Sequence, residues 1–355
     1  MQQPSPEHPF APYIRILGKG KTGTRGLTRM EAETAFGMIL RGEVEPLQQG
    51  AFLMLLRVKE ETGAELAGFV SACRAAMQKP PPDITADLDW SSYAGKRHQH
   101  PWFILSMLLL SQLGHRIFVH GSDGHTEGRL YTEDAFEQLG LPVANSWEDV
   151  RTQLADTRLS YLPLRHFCRP LHEMMQLRPL LGLRSPVNTL ARMINPLGAC
   201  ASIQSVFHPA YAALHQETDM LMGQPRSLVF KGDSGEVEIK PQADTRLYLL
   251  SNGELEEQRL ERSRSERVDS AAGMLAIQPL RELWQGSLQD DYGLEATLAT
   301  ATAALLLLEP GQTIVSARQR AFPTSASSLC RLASGASDGC PITLSNFIWA
   351  SANLL

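Results

Sequence analysis

Three consecutive prolines, Pro80 to Pro82, divide this chain of 355 residues into two stretches of different grammar. Proline lacks the amide proton that a helix or a central strand needs, so no regular element runs through the triplet. Before it, apolar residues recur at helical spacing. Thr28 precedes Ala32, Ala35, Phe36, Ile39 and Leu40, with Glu31 placed to complete a capping box and Gly42 to end the helix. A second helix is expected from about Pro46 to Glu61 and a third from about Ala64 to Gln78. Residues 1–79 therefore read as a helical domain.

Beyond Asp83 the pattern alternates. An apolar helix, Pro101 to Leu113, leads to a short strand, Arg116 to His120, and a turn, Gly121 to Gly124. A helix from Ser146 to Asp156 precedes a strand from Leu159 to Leu162. A helix over 209–222 precedes strands at Ser227 to Phe230, Val237 to Lys240 and Arg246 to Leu250. Ala296 to Leu308 and Gln312 to Arg320 are helical again. Such alternation specifies an α/β layer fold over 84–320. Residues 321–355 are rich in Ser and Ala without steady periodicity, and no role is assigned to that tail.

Composition narrows the class. With 43% hydrophobic and 20% charged residues, the chain has the profile of a folded globular protein. No apolar run approaches the roughly 20 residues a membrane span needs. The first ten residues lack a signal core, so a cytoplasmic protein with no membrane partner is expected. The five cysteines, at 73, 168, 200, 330 and 340, form no C-x-x-C pair and read as reduced thiols. His98, His100 and His125 have no nearby acidic or cysteine partner that would make a metal site of them.

The net charge of −5 is unevenly spread. Residues 151–205 hold seven Arg against Asp156 and Glu173, a net of +5, whereas residues 126–150 hold Arg129 against six acids, a net of −5. Two readings stay open: arginines that coat helices, or a locally basic face on an acidic protein. The loop Gly18 to Gly26, GKGKTGTRG, adds Lys19, Lys21 and Arg25 on a flexible backbone.

Two blocks carry a resemblance. Gly26 to Gly68, GLTRMEAETAFGMILRGEVEPLQQGAFLMLLRVKEETGAELAG, resembles the N-terminal helical domain of the anthranilate phosphoribosyltransferase family, glycosyltransferase family 3. Leu177 to Gly198, LRPLLGLRSPVNTLARMINPLG, resembles that family's R-x-x-L-G-x-R-x-x-x-N-x-L-x-x-x-x-N-P-x-G. A weaker third block, Val229 to Glu238, resembles its strand and metal-binding turn. The resemblance implies a small α-helical domain, completed by about 170–198, beside a larger α/β domain with a central mixed sheet flanked by helices. That is the nucleoside phosphorylase/phosphoribosyltransferase class III fold. It also implies a homodimer formed through the helical domains and a site in the cleft between domains.

The same resemblance exposes departures. Where the family has a glycine-rich phosphate turn, G-T-G-G-D, this chain has Tyr93, Ala94, Gly95, Lys96 and Arg97. The bulkier side chains are expected to block close backbone approach to a phosphate. The family's K-H-G-N corresponds to Val119, His120, Gly121 and Ser122. Its acceptor-site His falls on Cys168, and its acceptor-site Arg matches Arg178. Its metal-binding acidic pair aligns with Val237 and Glu238, leaving Glu238 as the carboxylate that would hold Mg²⁺ if any were bound. Loss of the parent activity, and no cofactor, are therefore expected.

A YbiB-like branch of this family carries a K-R sequence at the glycine turn and binds nucleic acid without marked sequence preference. The resemblance to that branch implies non-specific nucleic-acid binding, to DNA, by a dimer. The candidate contacts are Lys96 and Arg97 at the former turn, Lys19, Lys21 and Arg25 on the glycine loop, and Arg165, Arg169 and Arg184 in the basic segment. The alternative is an active enzyme that moves a phosphoribosyl group from phosphoribosyl diphosphate to another acceptor with Mg²⁺. A nucleoside-phosphorylase-like enzyme would also need a phosphate site, and the missing glycines argue against it.

Overall fold

The structure, a computed structural model, describes residues 6–20, 22–122, 124, 126–266 and 276–322. Lys21, His125, Cys330, Cys340 and the tail beyond Phe322 lie outside the described residues.

Four helices open the chain: α1 (Ala11–Gly18), α2 (Arg29–Leu40), α3 (Pro46–Lys59) and α4 (Gly63–Ala76). The expected capping box of α2 is present, with Thr28 and Glu31 each satisfying the other's backbone amide. Glu45 and Gln48 cap α3 in the same way, and Thr62 and Glu65 cap α4. Glu65 also reaches across to the glycine loop. Its buried carboxylate accepts the Leu27 amide at 2.8 Å and the Lys59 ammonium at 2.8 Å, so the end of that loop is pinned.

The second part alternates as expected and adds elements the sequence did not disclose. In chain order they are β1 (Leu88–Ser92), α5 (Phe103–Gln112), β2 (Ile117–Gly121), α6 (Thr132–Leu139), α7 (Trp147–Asp156) and β3 (Leu159–Pro163). Short helices follow: α8 (Leu164–Phe167), α9 (Arg169–Met175), α10 (Arg178–Leu181) and α11 (Val187–Leu190). Then come β4 (Ala201–Val206), α12 (Tyr211–Leu221), β5 (Arg226–Lys231), β6 (Thr245–Ser251), β7 (Glu254–Leu260), α13 (Gln278–Gln285), α14 (Asp291–Leu308) and α15 (Ile314–Ala321).

The seven strands form one mixed sheet in the order β3-β2-β1-β4-β5-β6-β7. The first five in that order are parallel, while β6 and β7 run antiparallel at one edge. In register, Trp90 pairs with Val119 of β2 and with Ile203 of β4. One core packs α5, α13, α14 and α15 on one face of the sheet, with Leu105, Leu298, Leu305 and Trp284 almost wholly buried. Helix α14 is buried over most of its circumference, as a uniformly apolar helix must be. The other core joins the helical unit to α8–α11 and the opposite sheet face through Phe36, Phe69, Phe118, Leu171 and Val187. Among the described residues no helix is long and apolar enough to cross a membrane.

One expected strand is absent. Val237 to Lys240 runs as a connection between β5 and β6, buried up to Ile239 and exposed at Lys240, not as a strand. Its alternating pattern arises because Val237 and Ile239 fill the core while Glu238 turns to a charge partner.

Candidate functional site

The C-terminal ends of β1, β4 and β5 meet at one place, the usual location of a site in a parallel sheet. After β5 the chain folds back sharply. A Cβ at Gly232 would lie 1.7 Å from the Glu236 carbonyl oxygen, so only glycine permits the turn. Ser234, inside it, takes φ +58°, a strained value for a residue with a side chain. This turn sends three carboxylates, Asp233, Glu236 and Glu238, towards the loop that follows β1.

Glu236 fills the former phosphate turn. Its Oε1 accepts the amides of Ala94 at 2.6 Å and Gly95 at 2.5 Å, and its Oε2 accepts the Ser92 hydroxyl at 2.8 Å. The expectation that side chains would block close approach to these amides is thus corrected. The amides still converge, helped by Gly95 at φ +68°, and they converge on the protein's own carboxylate.

Lys96 is corrected more sharply. The sequence makes it a nucleic-acid contact, yet it is wholly buried. Its ammonium pairs with Asp233 and Glu238 together. Glu238 also accepts the Phe103 amide at 2.9 Å, and Asp233 pairs with Lys240 at 2.9 Å. Burial alone would lower the lysine pKa, but the two carboxylates outweigh it and hold it above the ordinary value. Burial pushes Glu238 up to about 7. Asp233 is also buried, but two lysines hold it below its ordinary value. The second carboxylate is therefore Asp233, not position 237, where the family's motif would place it. A Mg²⁺ ion does not fit these residues: an ammonium already lies between the acids. Among the described residues, no cluster of three or more His, Cys, Asp or Glu is arranged to hold a metal.

Four other cleft positions, His120, Gly121, Ser122 and Cys168, are buried. His120 is buried, with Nδ1 2.6 Å from the Tyr93 hydroxyl and Nε2 3.3 Å from Asp89. Gly121 lets β1 and β2 approach, since a Cβ there would lie 2.3 Å from the Ser92 carbonyl oxygen. Ser122 is buried. Cys168 is buried beside Cys73, which hydrogen-bonds it and lowers its pKa against the effect of burial.

The remaining candidate cations divide into paired and available ones. Arg25 makes a bidentate bond to Glu31, Arg165 does the same to Glu133, and the exposed Arg169 pairs with Glu173 four residues on. Lys19 and Arg97 are exposed. Arg178 donates to the Thr126 hydroxyl at 2.7 Å. Arg184 is half-buried and makes no ion pair among the described residues. Burial, and then the nearby Arg129 and Arg178, lower its pKa. So three arginines of the basic segment, Arg178, Arg184 and Arg192, do converge, beside Arg129.

Beside the cleft, and sharing Gly232 and Ser234 of its turn, lies a groove that sequence reasoning missed. A cavity of about 770 Å³ opens among Phe207, His208, Lys231, Lys240, Arg246 and Tyr248. A smaller recess of about 180 Å³ continues from it past Phe207 and His208 to Arg57, Arg184, Arg192 and Tyr211. Phe207 is 51% exposed at the junction. Lys231 is exposed and has no ion pair among the described residues. The one acid on the wall of the larger cavity, Asp244, is paired with Arg259. The only sequence sign of this groove is an exposed Phe-His-Pro after a buried strand.

Comparisons with known proteins agree with this scaffold. Residues 11–77 match the glycosyl transferase family helical bundle domain, and residues 104–327 match the glycosyl transferase family a/b domain. The chain is 32% identical to YbiB of Escherichia coli K12, described as an uncharacterized protein, over 68% of this chain and 76% of that one. It is 31% identical to the anthranilate phosphoribosyltransferase of Nitratidesulfovibrio vulgaris, over 62% of this chain and 65% of that one. In structure it resembles the anthranilate phosphoribosyltransferase of Thermus thermophilus. The TM-score is 0.75 at 20% identity, covering 96% of this chain and 99% of the other.

Proposed function

The chain belongs to the glycosyl transferase family that joins a helical bundle domain to an α/β domain, and on that premise we propose that it binds single-stranded nucleic acid, DNA in particular, and does not transfer phosphoribosyl groups. One observation carries the reading: inside the cleft the phosphate-binding amides and the acidic pair are used up by Glu236 and Lys96, while Lys231, with no ion pair among the described residues, stands on the open groove around Phe207 beside Lys240 and Arg246, which pair with Asp233 and Glu257. Phosphoribosyl transfer needs its diphosphate cradled and neutralised by a metal. Here both positions are filled from within the chain.

The groove suits a flexible polyanion. Lys231, Lys240 and Arg246 line its wall, and Phe207 and Tyr248 on the same wall supply rings on which bases can stack. Binding of this kind ignores sequence, because every base has a face and every linkage a charge. Fluorescence anisotropy with single- and double-stranded DNA at several salt concentrations tests it. Salt-dependent binding of the single strand is expected, and no binding at low salt overturns it.

The rival reading, an active transferase, is favoured by the relatives' names. It requires calorimetric heat on mixing phosphoribosyl diphosphate and Mg²⁺ with the protein, and none is expected. We also propose the homodimer that the resemblance implies. Its support is apolar surface on the helical unit, with Leu47 89% and Leu180 84% exposed. Leu47→Asp is expected to turn a dimer into a monomer in light scattering. A wild-type monomer at micromolar concentration sinks that part.

A further inference from the structure

The smaller recess differs from the groove it continues. It is walled by α3, by the segment around α11 and by the loop after β4, and its volume of about 180 Å³ is that of about six waters. A chain of nucleotides cannot run through so small a space, but one end can enter it.

Three arginines, Arg57, Arg184 and Arg192, stand against one acid, Glu61. Arg184 and Arg192 are half-buried in the wall, and Arg57 stands at the rim, its guanidinium 3.4 Å from the Tyr211 hydroxyl. Arg192 is held by neutral oxygens: the Ser205 carbonyl and hydroxyl at 3.2 Å and the Gly235 carbonyl at 2.9 Å. Among the described residues no carboxylate is ion-paired with Arg57, Arg184 or Arg192. Ser185 and Asn188 add short polar side chains to the same wall.

Two further groups complete it. His215 gives its Nδ1 to Gln204 Oε1 at 2.7 Å, and the Gln204 amide nitrogen in turn donates to Asp219. Burial holds His215 down at about 3, so it is neutral and adds no charge. Glu61 is the one acid in the wall. It is 8% exposed, its Oε2 has no hydrogen-bond partner among the described residues, and burial raises its pKa.

We propose that this recess receives a terminal phosphomonoester of a nucleic-acid strand, with Arg184 and Arg192 as its charged floor, Arg57 at its mouth and Phe207 under the first base. The proposal rests on the groove reading and adds end recognition to it. A terminal phosphate carries nearly two charges at neutral pH, against one for an internal diester, and exposes three oxygens to donors. A site with several guanidiniums and no ion-paired carboxylate among the described residues selects for that difference.

The experiment compares 5′-phosphorylated, 3′-phosphorylated and hydroxyl-ended single-stranded 12-mers by anisotropy, and a nucleoside 5′-monophosphate against its nucleoside by calorimetry. One phosphorylated end is expected to bind about tenfold tighter than the hydroxyl-ended strand, as charge-assisted bonds to a second negative charge would give. Arg184→Gln is expected to abolish the difference. Should that variant fold poorly, Asn188→Asp, which places a negative charge in the wall, is expected to do the same. Equal affinity for all ends, together with no heat from the monophosphate, overturns the proposal. Binding of the monophosphate that Arg184→Gln removes, with no strand binding at all, upholds the recess and overturns the groove reading instead.

Discussion

The inner cleft and the outer groove are built from the same kinds of side chain and differ in what those side chains have left to offer. In the cleft, Lys96 meets Asp233 and Glu238, and Glu236 meets two backbone amides, so each charge is answered within the chain. In the groove, Lys240 and Arg246 are likewise paired, with Asp233 and Glu257, but Lys231 and Arg184 have no acid of their own among the described residues, and the one acid of the larger cavity is bound to Arg259. A cation is therefore a candidate contact only when burial and an internal partner have not already claimed it.

The largest expected effect tests the cleft. Lys96→Met would leave two buried carboxylates facing each other, and breaking a buried ion pair on one side costs about 3–5 kcal/mol. Urea denaturation measures it, and a loss under about 1 kcal/mol would show that Lys96 is not the central ion. Restoring part of that loss with a second change, Glu238→Gln, would sharpen the point.

The next effect lies beneath the groove. Burial raises Asp219 from its ordinary 3.8 to about 6. Below pH 4 the folded and unfolded chains both hold this proton. Between about pH 4 and pH 6 the unfolded chain releases it while the folded one keeps it, so stability falls as pH rises, by up to about 3 kcal/mol. His215 acts with the opposite sign, since its lowered value favours folding above pH 6.5 and loses that contribution as pH falls. Asp219→Asn removes only the first contribution. Melting curves at pH 4, 5, 6 and 7 are expected to separate the variant from the wild type, and parallel curves would rule Asp219 out.

Smaller effects test the groove itself. Phe207→Ala is expected to weaken single-strand binding by about 5- to 150-fold, the range for losing one stacked base. The same change should leave urea stability nearly unaltered, because the ring is half exposed. Lys231→Ala is expected to reduce the slope of log affinity against log salt by about 0.7, one phosphate contact on a single strand. An unchanged slope would place the strand elsewhere.

Much of the scaffold was legible because its signals are local. Thr28 and Glu31 announce α2 within four residues, and the apolar run of α14 can only be a buried helix. Strand β1 was not legible. It reads Leu-Asp-Trp-Ser-Ser, and its polar residues are buried because Asp89 lies against His120 and Ser92 binds Glu236. The site resisted for the same reason. Nothing near Lys96 in sequence tells that Asp233 and Glu238, 137 and 142 residues away, will enclose it. The charge of Lys96 was visible, but its availability was not, because availability is set by contacts distant in sequence.

The Lys96 triad has a consequence for how this protein meets its surroundings. A divalent ion bound from solution comes and goes with supply, and whatever it stabilises is hostage to chelators and to competing ligands. An ammonium on a four-carbon tether has no dissociated state to populate, and its local concentration stays the same however the medium changes. The architecture around β5 thus keeps its electrostatic balance in media free of divalent ions.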